Sequence, residues 1–541
     1  MHGKRRFLVA SVIAVLMTAA FLPGSGLGSS AAVVRGGQNE IPAGLAAAIH
    51  ARLGVGTIRS SSAALAGPQP DLALSVALSA DGTTALVGAP GVAGGKGAAY
   101  IFHAPDANSW SSSGKPTATL TRKRGTAKGD FGFSVALSAD GTTAFVGAPF
   151  TGTGLFPAGA IYAFHVSAED AWSSSSTPRA TLTASNGIFV GIAALALSTD
   201  GKTLVAGAPA YNGAAGGAYV FHASSEDVWA SSSTPSATLS NAGESQKDGG
   251  VGLAVAVSGD GTTALVSDNA NPNGGGAYLY HVSAEDAWTT KSTPNAILSD
   301  ADSGSNDSLG LAVALSGDGT VALLGAPGVD SARGAVDVFH ASGEAAWTSI
   351  TTPTATLTRA GGSAGDSLGE KLAMSTDGMT ALVGAPGVGA KRGAAYIFRA
   401  SGEGAWAFSD APNATLTKSG AHANDQLGVG VFSADGATAL VGAPGVRSQT
   451  GAAYVFHVSD ESSLTPAATL TDEALAACVV PKLKGLKLSA AKSALAVGRC
   501  RLGRVTKVHS TRKHRGRVLY QNRKRGRRLA IGAKVSVKVG K

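Results

Sequence analysis

Four kinds of side chain recur along this 541-residue chain at spacings that could serve chemistry. A histidine stands at His103, His165, His222, His281, His340 and His457, with Arg399 taking the sixth place in the series. A ring of imidazoles suits metal binding or pH sensing, but a metal needs ligands that converge within a few ångström. Copies this far apart are expected to make one repeated hydrogen bond instead. Acidic pairs stand at Glu169-Asp170, Glu226-Asp227 and Glu285-Asp286. Paired carboxylates can cleave glycosides, yet they need a cleft and shifted pKa values, and these pairs are expected to be solvated. Six tryptophans, Trp110, Trp172, Trp229, Trp288, Trp347 and Trp406, could stack on sugars; covering a strand edge is the expected role. The two cysteines, Cys478 and Cys500, are too few for a structural zinc site or a disulfide scaffold. No Ser-His-Asp set, phosphate-cradling glycine loop or H-E-x-x-H motif is present.

The elements that carry these residues repeat. An Asp-Gly dipeptide begins at Asp81, Asp140, Asp200, Asp260, Asp318, Asp377 and Asp435, spaced by 58 to 60 residues. Gly-Ala-Pro follows at Gly88, Gly147, Gly207, Gly325, Gly384 and Gly442, and only the fourth copy breaks it, reading Ser267-Asp268-Asn269. Each copy reads as four short strands, in the first copy "SVALS", "TALVG", "AAYIFH" and "ATLT", with Asp-Gly predicting a tight two-residue hairpin between the first two. Ser167-Ala168-Glu169-Asp170 reads as a serine-capped helical turn. Seven such units from residue 71 to 472 predict an all-β fold, a seven-bladed β-propeller of four-stranded blades. A parallel β-solenoid is the rival, but Asp-Gly hairpins require antiparallel neighbours. Residues 32–70 form a linker or ring-closing segment, in which Ser61 to Leu65 could supply a strand.

The repeat resembles the FG-GAP family, known from the propeller heads of integrin α-subunits, and within it the bacterial exported branch. Phe131-Gly132, Leu309-Gly310, Leu368-Gly369, Leu427-Gly428 and the six Gly-Ala-Pro triplets carry the resemblance. Calcium-binding members use D-x-D-x-D-G loops, whereas the turn here offers a single aspartate, as in Ser79-Ala80-Asp81-Gly82. Calcium takes six to eight oxygens, so no cofactor is expected and Asp81 reads as a turn residue. Function is expected where the copies differ, between the second and third strands. In a propeller those loops share one face. Phe150, Phe156, Tyr211, Asn212, Asn271, Arg392 and Arg447 are its candidate ligand-binding residues for an unidentified protein or glycan.

The formal charge of +9 conceals a split, because residues 478–541 hold 20 Lys and Arg with no Asp or Glu and the remainder carries −11. Residues 1–6 are basic, 7–22 are apolar and small residues follow, the order of a secretory signal peptide over 1–31. An uncleaved anchor is the alternative. No later stretch is long and apolar enough to span a membrane. Export permits a disulfide between Cys478 and Cys500, closing a loop of about 23 residues for roughly 3 kcal/mol. Val480-Pro481, Gly485, Ala490-Ala491, Leu495, Gly516-Arg517-Val518, Gln521, Gly526 and Gly532 resemble a PASTA domain, a small α+β fold associated with peptidoglycan recognition. A helix is expected over Ser489–Val497, with strands at 504–509, 517–521 and 534–539.

Arg512, Lys513, Arg515, Arg523, Lys524, Arg525, Arg527 and Arg528 are the candidate contacts to peptidoglycan or another anionic envelope polymer. The single aromatic Tyr520 argues against nucleic acid. Docking on the chain's own acidic part is a further possibility. The leading expectation is a secreted, non-enzymatic adhesion or recognition protein whose basic tail holds it at the cell wall. An envelope polysaccharide hydrolase or lyase working through the propeller channel, or a structural wall-coating protein, are the alternatives.

Overall fold

The computed structural model describes residues 57–60, 63–65, 72–123, 129–152, 157–184, 194–209, 211, 215–242, 250–269, 271, 274–458, 477–479, 482–484, 486–488, 491–492, 495, 501–510, 515–523, 528–530 and 534–541. The chain divides into two compact units, with the boundary between Leu470 and Thr471.

Among the described residues the first unit is all-β and is built of repeated sheets, six antiparallel ones of four strands and one of five in which the outermost strand pairs parallel. In the first sheet Val76–Leu78, Thr84–Ala89, Ala98–His103 and Ala118–Leu120 pair in chain order. The register runs through Ala77↔Leu86, Leu86↔Ile101 and Ile101↔Ala118. Every residue of Thr84–Ala89 is buried. That is why the second strand reads "TALVGA" without polar alternation: both of its faces are covered. The cover comes from neighbouring sheets. One apolar cluster joins Leu86 and Ile101 of the first sheet to Val146 and Tyr162 of the second, and another joins Val87 and Tyr100 of the first to Leu440 and Val455 of the seventh. First strands of successive sheets adjoin, the seventh adjoining the first. The result is a closed, propeller-like array.

The hairpin between first and second strands differs from the expected two-residue turn. Ser79 N–H donates to Thr84 O, enclosing four residues, and Gly82 N–H donates to Ser79 O. Only the glycine takes a left-handed conformation, at φ 74°; Asp81 stays right-handed because its carboxylate accepts from Ser79 Oγ at 2.6 Å and Thr83 N–H at 3.0 Å. This geometry also leaves the residue before each aspartate free to bond sideways. Ala80 N–H donates to Ala139 O, Thr199 to Gly259, Gly259 to Gly317, Gly317 to Thr376, Thr376 to Ala434, and Ala434 back to Ala80. These six backbone hydrogen bonds tie the turns into one run, from Thr199 round to Ala139.

The array is closed by the chain's beginning. Ala63–Leu65 pairs antiparallel with Ala452–His457, with Ala63↔Val455 and Leu65↔Ala453. This is the register of Ala118↔Ile101 and Leu120↔Ala99 in the first sheet. The strand expected near Ser61 to Leu65 thus completes the seventh sheet. Just before it, Thr57–Ser60 runs parallel to Ala414–Thr417 of the sixth sheet, with Arg59 opposite Leu416. Ser175 bridges Leu120 in the same parallel sense between the first and second repeats.

The second unit has strands Ala477–Val479, Arg501–Val508, Val518–Gln521, Arg528–Ala530 and Lys534–Gly540. Lys534–Gly540 lies between Arg501–Val508, to which it is parallel, and Val518–Gln521, to which it is antiparallel. Ala477–Val479 and Arg528–Ala530 form a separate pair. Ala491 N–H donates to Lys487 O in the expected helix, and Leu483, Ala491, Leu495, Val518, Val535, Val537 and Val539 make the core. Among the described residues no helix is long and apolar enough to cross a membrane.

Candidate functional site

The residues that repeat are engaged in holding the sheets together. Each indole N–H donates to the carbonyl of a turn glycine: Trp110 to Gly82, Trp172 to Gly141, Trp229 to Gly201, Trp288 to Gly261, Trp347 to Gly319 and Trp406 to Gly378, at 2.7 to 3.0 Å. All six are buried, which leaves no indole face for a sugar. His103, His165, His222 and His281 place Nδ1 at 2.9 to 3.1 Å from Thr84, Thr143, Thr203 and Thr263 Oγ1, the repeated hydrogen bond expected of them. Burial lowers the pKa of His457.

The glycines that name the motif serve close approach. A Cβ on Gly88 would lie 2.1 Å from Gly132 O, and one on Gly384 would lie 2.1 Å from Gly428 O. These are distances no alanine tolerates, so the sheets could not pack this closely with any other residue.

The acidic pairs are not solvated as expected. Glu169, Glu226 and Glu285 begin short 3₁₀ turns, Glu169–Ala171, Glu226–Val228 and Glu285–Ala287, with no side-chain cap from the preceding serine or alanine. The glutamate turns inward while its aspartate neighbour stays exposed. Glu169 Oε2 accepts from Thr83 Oγ1 at 2.5 Å, and the same hydroxyl lies 2.9 Å from Asp81 Oδ1. One hydroxyl proton satisfies one carboxylate at a time. Burial, opposed by the Thr83 hydrogen bond and reinforced by the Asp81 charge, raises the Glu169 carboxyl above its usual value. Asp81 is also penalised by burial, but bonds from Ser79 and Thr83 together hold it below the carboxylate norm. Thr142 reaches Glu226 and Thr320 reaches Glu403 in the same way. At the third turn a lysine replaces the threonine, and Lys202 Nζ bridges Asp200 at 2.7 Å and Glu285 at 2.9 Å. Carboxylates thus meet in pairs between repeats, a pattern invisible in sequence because the partners lie more than 80 residues apart.

The loops between second and third strands are the part that varies. Val92–Gly95, Val329–Ala332, Val388–Lys391 and Val446–Gln449 each form a single turn. Several of their residues are left-handed, among them Asp330, Ser331 and Ala332 at φ 51°, 61° and 62°, and Ala390 and Lys391 at 63° and 61°. Lys96, Arg333, Lys391, Arg392 and Arg447 are exposed there, and Arg333 pairs with Asp330. Of the expected anchors, Arg392 and Arg447 stand out on this set of loops, whereas Phe150 and Tyr211 are half-buried. Tyr211 packs edge-on against Tyr219 with ring centroids 5.8 Å apart, so it braces its own loop. Asn271 Nδ2 donates to Asp268 Oδ2 at 3.2 Å. Phe156 and Asn212 lie outside the described residues.

In the second unit Arg515 and Arg523 are exposed. Arg528 and Cys478 are described as strand backbone. Arg512, Lys513, Lys524, Arg525, Arg527 and Cys500 fall outside the described residues, as does the 1–31 segment. Among the described residues no group of three or more His, Cys, Asp or Glu side chains is arranged to hold a metal ion.

Residues 351–398, from the end of the fifth sheet through the third strand of the sixth, match the FG-GAP repeat family. The crystal structure of Sqt1 from Chaetomium thermophilum is similar at 15% sequence identity, covering 76% of this chain and 87% of that one with a TM-score of 0.44. No curated protein matches the chain. The FG-GAP match in one repeat and the repeated four-stranded antiparallel sheets together fit a β-propeller.

Proposed function

We propose that the chain is an exported, non-enzymatic recognition protein of the bacterial FG-GAP type, a seven-bladed propeller that presents its variable loops to a ligand. One observation carries this reading. The repeated Trp side chains, four of the His and the turn Asp and Glu carboxylates are engaged in hydrogen bonds, and the motif glycines lie in close contacts, within and between sheets, while the loops that differ expose Lys96, Arg333, Lys391, Arg392 and Arg447. Side chains bound into the framework are not available to a substrate. The basic second unit, PASTA-like in its residues, serves as the wall-binding module, with its +20 charge directed at an anionic polymer. A Cys478–Cys500 disulfide belongs to this reading.

The test is pelleting of the mature full-length protein with purified cell wall over a salt series, beside an array of wall polymers and surface proteins. Wall pelleting at low salt that fades with added salt and weakens in Arg515→Ser/Arg523→Ser supports the tail assignment. Array binding lost in Lys391→Ala/Arg392→Ala/Arg447→Ala supports the loop assignment. Absence of pelleting at low salt overturns the first, and array binding indifferent to the loop changes overturns the second. Turnover of a wall polysaccharide would overturn the non-enzymatic reading.

A further inference from the structure

One repeat breaks the pattern of its neighbours at a buried position. The third strands of six sheets carry Tyr100, Tyr162, Tyr219, Tyr278, Tyr396 and Tyr454 at the same register, and the fifth, Ala335–His340, carries Asp337. Asp337 is 3% exposed and accepts from Thr356 Oγ1 at 2.9 Å. It sits opposite Leu324 on the second strand and Thr356 on the fourth, so its strand neighbours bring no positive charge.

The segment leading into the sheet changes with it. Before the sixth sheet, Arg359 pairs with the buried Asp366 and lies 5.4 Å from the centre of the Tyr396 ring. Before the seventh, Lys418 Nζ lies 2.8 Å from the buried Asp425, whose charge acts on Tyr454. The corresponding residues before the fifth are Asp300 and Asp307. The loop keeps its shape: Asp307 Oδ2 accepts from Gly304 N–H at 2.7 Å, as Asp366 accepts from Ser363 and Asp425 from His422, both at 2.8 Å. A trio of cation, carboxylate and tyrosine has become three carboxyls. The nearest arginine on the adjoining loop, Arg333, is paired with Asp330.

We propose that the fifth sheet is a proton-controlled joint in the ring, shut while Asp337 is a neutral carboxylic acid and loosened when it ionises against Asp300 and Asp307. A neutral acid donates where a carboxylate repels, so the proton substitutes for the missing cation. Burial, opposed by the Thr356 bond and reinforced by Asp300 and Asp307, pushes this carboxyl up to about 7. The loosened segment abuts the variable loop, since Gly328 N–H donates to Asp307 O. The joint therefore connects external pH to the loops proposed to bind ligand.

Because the folded value lies above the unfolded one of about 3.9, the stabilising effect is complete below about pH 4. It is lost as pH rises to about 7, at up to tenfold in the folding constant per pH unit. The experiment compares thermal midpoints of full-length wild type, Asp337→Asn and Asp337→Tyr from pH 4 to 8.5. Amide exchange of residues 300–310 and the infrared carboxylic-acid band of the wild type are followed in parallel. The expected result is a wild-type midpoint that falls across this range relative to both variants. At each pH near the top of this range, exchange in 300–310 should be quicker than in the same residues of Asp337→Asn, and an acid band should vanish near pH 7. Parallel curves with no such band would overturn the proposal. So would stabilisation of wild type, but not Asp337→Asn, by calcium or magnesium at pH 8, which would make the cluster a cation site. The infrared band needs no variant, so poor folding of either substitution leaves the test intact.

Discussion

At the residue scale, a side chain's repetition reports how many times the same local problem is solved. Each buried indole satisfies a turn carbonyl that would otherwise be orphaned. Replacing Trp229 with Phe keeps an aromatic ring against Phe145, 4.9 Å away between centroids, but removes the donor to Gly201 O. We expect a loss of about 1–3 kcal/mol from the unsatisfied carbonyl, read as a lower denaturant midpoint; an unchanged midpoint would mean water replaces the indole. Glu169 gives a prediction of opposite sign. Its carboxyl is raised, so the ionised form is disfavoured in the folded protein, and stability is lost as pH climbs above the ordinary glutamate value. Glu169→Gln should therefore hold or raise the thermal midpoint at pH 7 and lose that advantage at pH 4. Destabilisation at both pH values would show that the carboxylate itself is needed. The sequence displayed the His and Trp roles because their columns repeat. It hid the Glu–Thr–Asp contacts because a column of acidic residues on a turn looks the same whether it faces water or the next repeat.

At the element scale, the variable loops store conformational strain. A left-handed L-residue costs about 1–2 kcal/mol, and Asp330, Ser331 and Ala332 adopt that conformation in succession. Ala332→Gly relieves part of it at some cost in unfolded-chain entropy. We expect a net gain of about 0.5–1 kcal/mol, seen as a higher melting temperature, with ligand binding unchanged or weaker. A drop in stability would mean that the alanine methyl packs more usefully than its backbone is strained. Four strands per repeat, their order and their approximate limits were legible from alternation and turn residues. The left-handed turns were not, because Val-Asp-Ser-Ala and Val-Gly-Ala-Lys carry no common signature for positive φ; the conformation is imposed by the close approach of the next repeat's leading segment, as in Ser367 N–H to Ala332 O and Gln426 N–H to Lys391 O. The Asp-Gly hairpin differs from the two-residue turn for a related reason. Its aspartate bonds within the turn, so the glycine alone takes positive φ and the loop lengthens to four residues.

At the scale of the whole molecule, closure rests on a few hydrogen bonds between distant segments. A chain starting at residue 67 loses the parallel strand against Ala414–Thr417 and the outermost strand of the seventh sheet. It should melt at a lower temperature and associate in solution through the bared edge of Ala452–His457. Light scattering and calorimetry would check this, and an equally stable monomer would show that another segment takes the strand's place. The periodicity of 58 to 60 residues made the array legible, yet how it closes depended on three residues, Ala63–Leu65, that resemble an outer strand only weakly. Their position has a consequence in time. During synthesis, residues 57–65 leave the ribosome long before Val455, about 390 positions later, is made. This segment must wait unpaired until the last sheet has been made, so closure comes late in synthesis at the earliest. The finishing step is a long-range, slow search, and until it ends the outer edge of Ala452–His457 stays without its strand.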